Sequence, residues 1–587
     1  MPDVSSRKFV ETFQRAFASS GRLSEKDLTA LKKVKDTLAN PNDRAAAEQV
    51  LAMVRGDREL DAFEVAPVRK AMQVLAGVSG ARLPADLERA LANGVPVSNV
   101  TAKSYDLTFD VSGTGPDFPA RAVVTLDKAA GKEAILEVNP DRLKIGAVKV
   151  NGRAVPFEVK NGRIHVKAPG AKAIEIQYTV KSVDAADDAF GLIRDKYTGR
   201  MWTLTWPYNT GALFPSNSAP ADGATAKVTL QVANGFQGVS GGKAVGANSY
   251  LTTGESPSYG VAFYTAKDFA LGNGGTTREG VKVEGYGVGG RQVPKSTRDA
   301  YLKTAKESHE YFTRFLGASG YGDSMRLVEV PGNLDGMEHA CCVAIMLAAT
   351  ETVDNANETA AHEIGHHWFG NNVRIAEWGD FWMSEGFNSY ITYRYFREAE
   401  GDSKYYELLD RGRDALRDEL ESNPFGLVAP PNTDVTEIFD SVPYEFGPWM
   451  LRMLEVQLGT PKFDALLRDW YGAKKQSAVS TKDFVAFVKQ KTGKNVGPFF
   501  EAWRNIKAVP TFRAEIKTTQ ATGELTVKLT ASTPFPKGLT VPLRLEGAGG
   551  KVLTVQVDPT KPFKVTPGFK VTKTTWDPER TVLALVR

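Results

Sequence analysis

Hydrophobic residues recur along this chain at two spacings, and the switches between them divide it into segments. From the amino terminus to about residue 97 the spacing is helical. Phe9, Val10, Phe13 and Phe17 share one face, as do Ala47, Val50, Leu51 and Val54. Ser24 through Asp27 has the pattern of a capping box opening a helix. Ser20-Gly21-Arg22-Leu23 has the outline of a calcium loop, but its acidic positions fall on Ala16, Ala18 and Ser20. Calcium requires oxygen ligands there, which excludes such a site. From about 98 to 273 the pattern changes to alternation. Tyr105–Val111, Ile174–Val180 and Ala226–Val232 read as strands, and Asn151-Gly152 after Val148-Lys149-Val150 reads as a hairpin turn. From about 274 to 507 the two patterns mix. Met325–Val330 is a strand, the apolar run from Ala340 to Ala349 reads as a buried strand, and helices follow. After about 508 short alternating strands return, among them Leu525–Thr530 and Val552–Val557, and suggest a β-sandwich.

These switches predict an α+β multidomain chain in four parts: 1–97, 98–273, 274–507 and 508–587. A length of 587 residues independently suggests about three to four domains. Hydrophobic content of 42% and charged content of 24% are globular values. A formal net charge of +4 with no long basic block gives no support for nucleic acid as a partner. No apolar run is long enough to span a bilayer, which predicts no membrane segment. Cys341 and Cys342 are the two cysteines, and adjacent cysteines rarely pair. With no disulfide framework and no apolar signal region in Met1–Gln14, the expected location is cytoplasmic.

The chemistry concentrates in one motif. The chain has 6 histidines, and His362, His366 and His367 fall within six consecutive positions. His362 and His366 are four apart, so on a helix they stand on one face, one turn above the other. Both rings then reach one ion. Glu363 sits one position round, beside that ion, where it can act as a base. Glu385 lies in Trp382–Tyr390, which reads as a second helix returning toward the first. Two imidazoles and a carboxylate leave the fourth position of a tetrahedral zinc open, the catalytic rather than the structural form. One zinc ion per chain is therefore expected. His367 points away from His366 and is expected to be packed or hydrogen-bonded.

With these residues in place, the chain resembles the gluzincin aminopeptidases of peptidase family M1. Asp335-Gly336-Met337-Glu338-His339 is similar to the family's Gly-x-Met-Glu-Asn segment. His362–His366 continues as His367-Trp368-Phe369-Gly370-Asn371, and Trp378–Phe387 is similar to the second zinc helix. Pro443-Tyr444-Glu445-Phe446-Gly447 resembles the Tyr-Glu-Lys-Gly segment. Leu213–Pro220 adds a weaker match, and the similarity covers roughly residues 98–587. The N-terminal helical extension lies outside the family core, and the resemblance implies a β-sheet domain after it. A thermolysin-like α/β catalytic domain and a C-terminal β-sandwich complete the order.

The resemblance also implies roles. Glu338 holds the substrate's free α-ammonium, with Gly336, Met337 and His339 as neighbouring substrate contacts. Tyr444 donates to the developing oxyanion. Peptides with a free N-terminus are the implied partners, and the oligomeric state is left open. Asp335, His339 and Ala340-Cys341 depart from the family's glycine, asparagine and Trp-Gly. No glutamine or glutamate stands near Trp206-Pro207-Tyr208 to assist the amine. The reaction read from the sequence is zinc-dependent hydrolysis of the N-terminal peptide bond, with Glu363 as general base. The alternatives are an endopeptidase, an epoxide hydrolase, or an inactive peptide-binding scaffold.

Overall fold

The computed structural model describes residues 4–20, 23–53, 62–77, 98–160, 162–185, 190–287, 293–332, 334–348, 350–423, 425–430, 433, 435–519 and 523–587. It divides into two compact units. One comprises Met1–Glu307 with Ser319–His367, and the other Ser308–Ala318 with Trp368–Arg587. The architecture is α+β, and no helix among the described residues is long and apolar enough to cross a membrane.

The first unit begins with four helices, α1 (Val4–Ser20), α2 (Glu25–Lys35), α3 (Pro41–Met53) and α4 (Ala62–Ala76). Phe9, Val10, Phe13, Ala47, Val50 and Leu51 are buried in one cluster, as their spacing predicts. At the start of α2, Ser24 Oγ accepts the Asp27 N–H at 3.2 Å while the Asp27 carboxylate accepts the Ser24 N–H at 3.0 Å. This reciprocal pair is the capping box, and it satisfies two amides the helix itself cannot. Gly21, Val54 and residues 78–97 lie outside the described residues.

The alternating segments that follow form an eight-stranded sheet. Ala102–Val111 lies at its centre, antiparallel to Asp117–Leu126 and parallel to Thr225–Val232. Leu107, Phe109 and Val111 point into the core while Asp106, Thr108 and Asp110 point out, the pleat that the period of two requires. Asn151 and Gly152 have φ of 51° and 75° between strands Leu143–Val150 and Arg153–Ala154. Positive φ at both turn residues is what a two-residue hairpin demands.

The site is carried by a five-stranded sheet and one helix. The strand order is Ala270–Thr276, Lys282–Gly287, Ser324–Glu329, Cys342–Ile345, Gly336–Met337. The middle three run parallel, and the two edges are antiparallel to them. Ser324–Glu329 and Cys342–Ile345 are buried at every position, as expected of parallel strands covered on both faces. The apolar run from Ala340 thus contributes a strand of four residues, after which the chain turns. Helix α5 (Lys295–Leu316) ties itself to this sheet through Glu329. That buried carboxylate accepts from Arg298 Nε at 2.6 Å, Arg298 Nη2 at 2.8 Å and Tyr301 Oη at 2.8 Å. Pairing and extra hydrogen bonds are what make a buried charge tolerable. Helix α6 (Val353–Gly365) packs on strands Gly336–Met337 and Cys342–Ile345. Thr352 caps it by accepting the Asn355 N–H at 3.1 Å.

The second unit is helical and then β. Its helices are α7 (Trp382–Glu400), α8 (Asp402–Glu419), α9 (Gly447–Leu458), α10 (Thr460–Lys474), α11 (Thr481–Thr492) and α12 (Gly497–Trp503). Buried Glu455 on α9 accepts from Arg452 Nη1 at 2.7 Å, Tyr390 Oη at 3.0 Å and Thr460 Oγ1 at 2.7 Å, which locks α9 to α7 and α10. The chain ends in two sheets, of four strands and three. They include Glu524–Ala531 and Lys551–Val557, which contain the strands read from alternation.

Candidate metal centre

Helix α6 supplies the first part of the site. Its last hydrogen-bonded turn carries His362 and Glu363, and His366 follows at the C-cap with backbone still helical. The two imidazoles consequently face one another, with Nε2 atoms 3.1 Å apart. Two nitrogens that share one tetrahedral zinc at ~2.0–2.1 Å sit about 3.3 Å apart. The observed spacing requires only a slight opening to admit the ion. His362, His366 and Glu385 offer two ring nitrogens and one carboxylate oxygen, a donor set that fits catalytic zinc.

The second part of the site is the edge strand and the turn after it. Glu338, Glu363 and His366 are all buried, and each offers an atom within 4.8 Å of the others. Two carboxylates held this close in a buried setting repel one another unless a cation or a shared proton relieves the repulsion. Gly336 on the edge strand explains part of this closeness. A Cβ added there would lie 2.6 Å from the Glu363 carboxyl carbon, so only glycine lets the strand pass. Met337 is buried, paired with Ala344 across the ladder.

His339 has a different setting from its neighbours. Its ring is fully buried, and Nδ1 lies 2.8 Å from Tyr264 Oη. Burial holds its pKa down, from the usual 6.5 to about 3. The unfolded chain therefore takes up a proton near pH 6.5 that the folded chain refuses until about 3. The stability tied to this neutral ring is complete above 6.5 and is lost as the pH falls toward 3. We expect wild type to lose more of its urea midpoint over this interval than His339→Gln does, and equal losses would contradict the assignment.

Cys341 and Cys342 are free and buried, and burial pushes both thiols up to about 12, so neither is a reactive thiolate. Cys341 has φ of 59°. The departure from the family's Trp-Gly at Ala340-Cys341 thus puts a side chain where the backbone favours glycine.

The second unit holds the other two expected residues. Glu385 is buried in the first turn of α7. Tyr444 lies in a π-helical turn, Val442–Phe446, immediately before α9. Its ring meets Phe381 edge-on at 6.0 Å and Phe439 at 6.1 Å. Glu445 beside it accepts a hydrogen bond from Tyr393 Oη on α7 at 2.8 Å. Two glycines that the sequence reading gave no role bring this turn onto α7. A Cβ on Gly386 would sit 2.6 Å from Gly447 Cα, and one on Gly447 would sit 2.4 Å from Gly386 Cα. Such backbone contact cannot yield to a side-chain rotation. Gly386→Ala should therefore cost about 1–3 kcal/mol, measured by urea denaturation. A variant as stable as wild type would contradict the contact. Asp380 accepts the Thr481 N–H at 3.0 Å and hydroxyl at 2.6 Å, and so holds the start of α11.

Comparison with known proteins gives these placements a context. Residues 328–503 match the peptidase family M1 domain. Aminopeptidase M1 of Arabidopsis thaliana is 26% identical over 58% of this chain and 40% of its own length. Probable aminopeptidase 1 of Saccharolobus solfataricus is 23% identical over 63% of this chain and 50% of its own. The chain thus spans half or less of the length of these two relatives. Among solved structures, Legionella pneumophila aminopeptidase A, in complex with aspartic acid, superposes with a TM-score of 0.66 at 17% identity, covering 84% of this chain and 60% of that one. An M1 zinc metallopeptidase mutant of Deinococcus radiodurans, bound to a Tyr-Ser-Ala substrate, gives 0.57 at 18% identity over 70% and 95%. At these identities the structural matches establish the fold.

Proposed function

We propose, from the premise that residues 328–503 of this chain are a peptidase family M1 domain, that the protein is a zinc-dependent aminopeptidase. The observation that carries the reading is the convergence of Glu338, Glu363 and His366, with donor atoms within 4.8 Å of one another beside the His362–His366 pair. His362, His366 and Glu385 hold one zinc ion in this reading. When bound, zinc acidifies a water and polarises the scissile carbonyl.

Each residue of the chain then has a task. Glu363 takes the proton of the attacking water and returns it to the leaving amine, as general base and then general acid. Tyr444 donates its hydroxyl proton in a hydrogen bond to the oxyanion. Glu338 accepts from the substrate's α-ammonium. A blocked N-terminus leaves that buried carboxylate without its cation, which is costly away from water. Gly336 and Met337 form an edge strand, whose outer backbone groups suit an extended peptide. His339 is a neighbouring contact beside Glu338 in this reading, with its ring held by Tyr264. The four-part division at 97, 273 and 507 and a cytoplasmic location belong to the same reading.

A panel of aminoacyl-arylamides and their N-acetylated twins, with and without chelator, tests the proposal. Cleavage of the free-amine compounds alone, abolished by chelation, is the expected result. Equal cleavage of both would remove the ammonium role of Glu338 and favour an endopeptidase. Turnover of epoxides alone would point to that hydrolase, and bound zinc with no turnover would favour a scaffold.

A further inference from the structure

His367 follows the proposed zinc ligand His366, and the hydrolysis assigns it nothing. Its ring is nevertheless fully buried, with both nitrogens engaged. Nε2 lies 2.9 Å from the backbone nitrogen of Cys341, and Nδ1 lies 3.1 Å from the Ile364 carbonyl oxygen. A backbone amide can only donate, so Nε2 is the acceptor. Nδ1 then carries the ring proton and donates it to Ile364. This fixes a neutral tautomer, since a doubly protonated ring would lose the Cys341 bond. One bond thus returns to the turn of α6 that carries Glu363 and leads to His366, while the other reaches 26 residues back, to the turn carrying Glu338.

The far end of that bond is strained. Cys341 holds a φ of 59°, and such a backbone persists only where its surroundings over-determine it. Three contacts do so here. The Cys341 N–H donates to His367, its carbonyl accepts the Arg326 N–H at 3.0 Å, and its thiol lies 3.2 Å from the Tyr321 carbonyl oxygen. The Tyr321 ring also meets the His367 ring edge-on at 5.3 Å. Glu338 stands three residues before Cys341, at the mouth of a turn closed by the Cys342 N–H on the His339 carbonyl at 3.0 Å. Any shift of Cys341 is transmitted through this closed turn to Glu338.

We propose that His367 is a positioning residue whose bond to the Cys341 amide clasps the Glu338 turn to the zinc helix, fixing the ammonium anchor at its distance from Glu363 and His366. The proposal rests on reading Glu338 as the ammonium anchor. It assigns His367 a substrate-affinity effect, because the clasp touches neither the water nor the leaving group. Glutamine can replace the imidazole through its side-chain carbonyl, which also accepts from an amide. Leucine fills similar space but accepts nothing.

The test uses the full chain loaded with zinc and two readouts. His367→Leu should raise KM for an aminoacyl-arylamide about tenfold, with kcat within about threefold and zinc content unchanged, the size expected for one lost buried hydrogen bond. His367→Gln should restore KM to within about threefold of wild type. Hydrogen exchange read by mass spectrometry should show faster exchange across residues 338–343 in His367→Leu and wild-type exchange in His367→Gln. Unchanged KM with unchanged exchange in the leucine variant overturns the proposal. So does loss of zinc with a fall in kcat alone, which would assign His367 to the metal. Should the leucine variant fail to fold, His367→Asn, too short to reach Cys341, is judged by the same criteria. Glu338→Gln assayed in parallel separates the two readings. If Glu338→Gln leaves KM unchanged, the ammonium reading fails whatever His367 does. If it raises KM while the His367 variants do not, the clasp alone fails.

Discussion

Glu363→Gln is expected to keep its zinc and lose nearly all turnover, by a factor on the order of 10³–10⁴. Glutamine has almost the volume of glutamate and retains a hydrogen-bonding oxygen, so the packing beside Gly336 survives. A Cβ at Gly336 would lie only 2.6 Å from the Glu363 carboxyl carbon, and an amide of the same shape fits that tight position. What glutamine cannot do is take a proton from water and deliver it to an amine. The prediction is therefore a separation of two measurements. Zinc content by atomic absorption stays at the wild-type value, while kcat collapses. An active Glu363→Gln enzyme would require another base, and the buried carboxylate at Glu338 would be the first place to look.

Tyr444→Phe should lower kcat by about 10²–10³ with KM little changed, because a donor aimed at an oxyanion acts only when negative charge develops. The ring itself should stay in place. It is held by edge-on ring contacts with Phe381 and Phe439 and by a π-helical turn, none of which involves the hydroxyl. Irregular π turns of this type recur at functional positions because they turn a side chain out of the ordinary helical register. A Tyr444→Phe variant that raised KM with kcat intact would instead place the hydroxyl on ground-state binding.

These two variants probe residues that were visible in the sequence, Glu363 through local spacing and Tyr444 through the resemblance. His362, Glu363 and His366 sit within one helical turn, so spacing alone puts them together. The capping box at Ser24 and Asp27 and the turn at Asn151-Gly152 are equally local, and the structure forms both. Strands with one solvated face were legible for the same reason, since a period of two survives without knowledge of the partner.

What escaped the sequence is contact at long separation. Ala102–Val111 pairs in parallel with Thr225–Val232 across more than a hundred residues, and no local pattern announces that partner. Asp380 is engaged by Thr481, 101 residues on. Gly386 and Gly447 lie in separate motifs, and only the fold reveals that they touch. Cys341 looked like an arbitrary replacement of glycine until its φ of 59° showed what the position demands. His367 was expected to be packed or hydrogen-bonded, and it is both, but its partner was not legible.

In the proposed reading, helix α6 and the Glu338 turn set a direction along a substrate, and that direction is its central claim. The most direct measurement is mass spectrometry of an unlabelled hexapeptide incubated with the zinc-loaded protein, beside its N-acetylated twin. The account predicts a ladder of products shortened one residue at a time from the free amine, and an untouched acetylated peptide. Internal cleavage of both peptides at the same bond would contradict it.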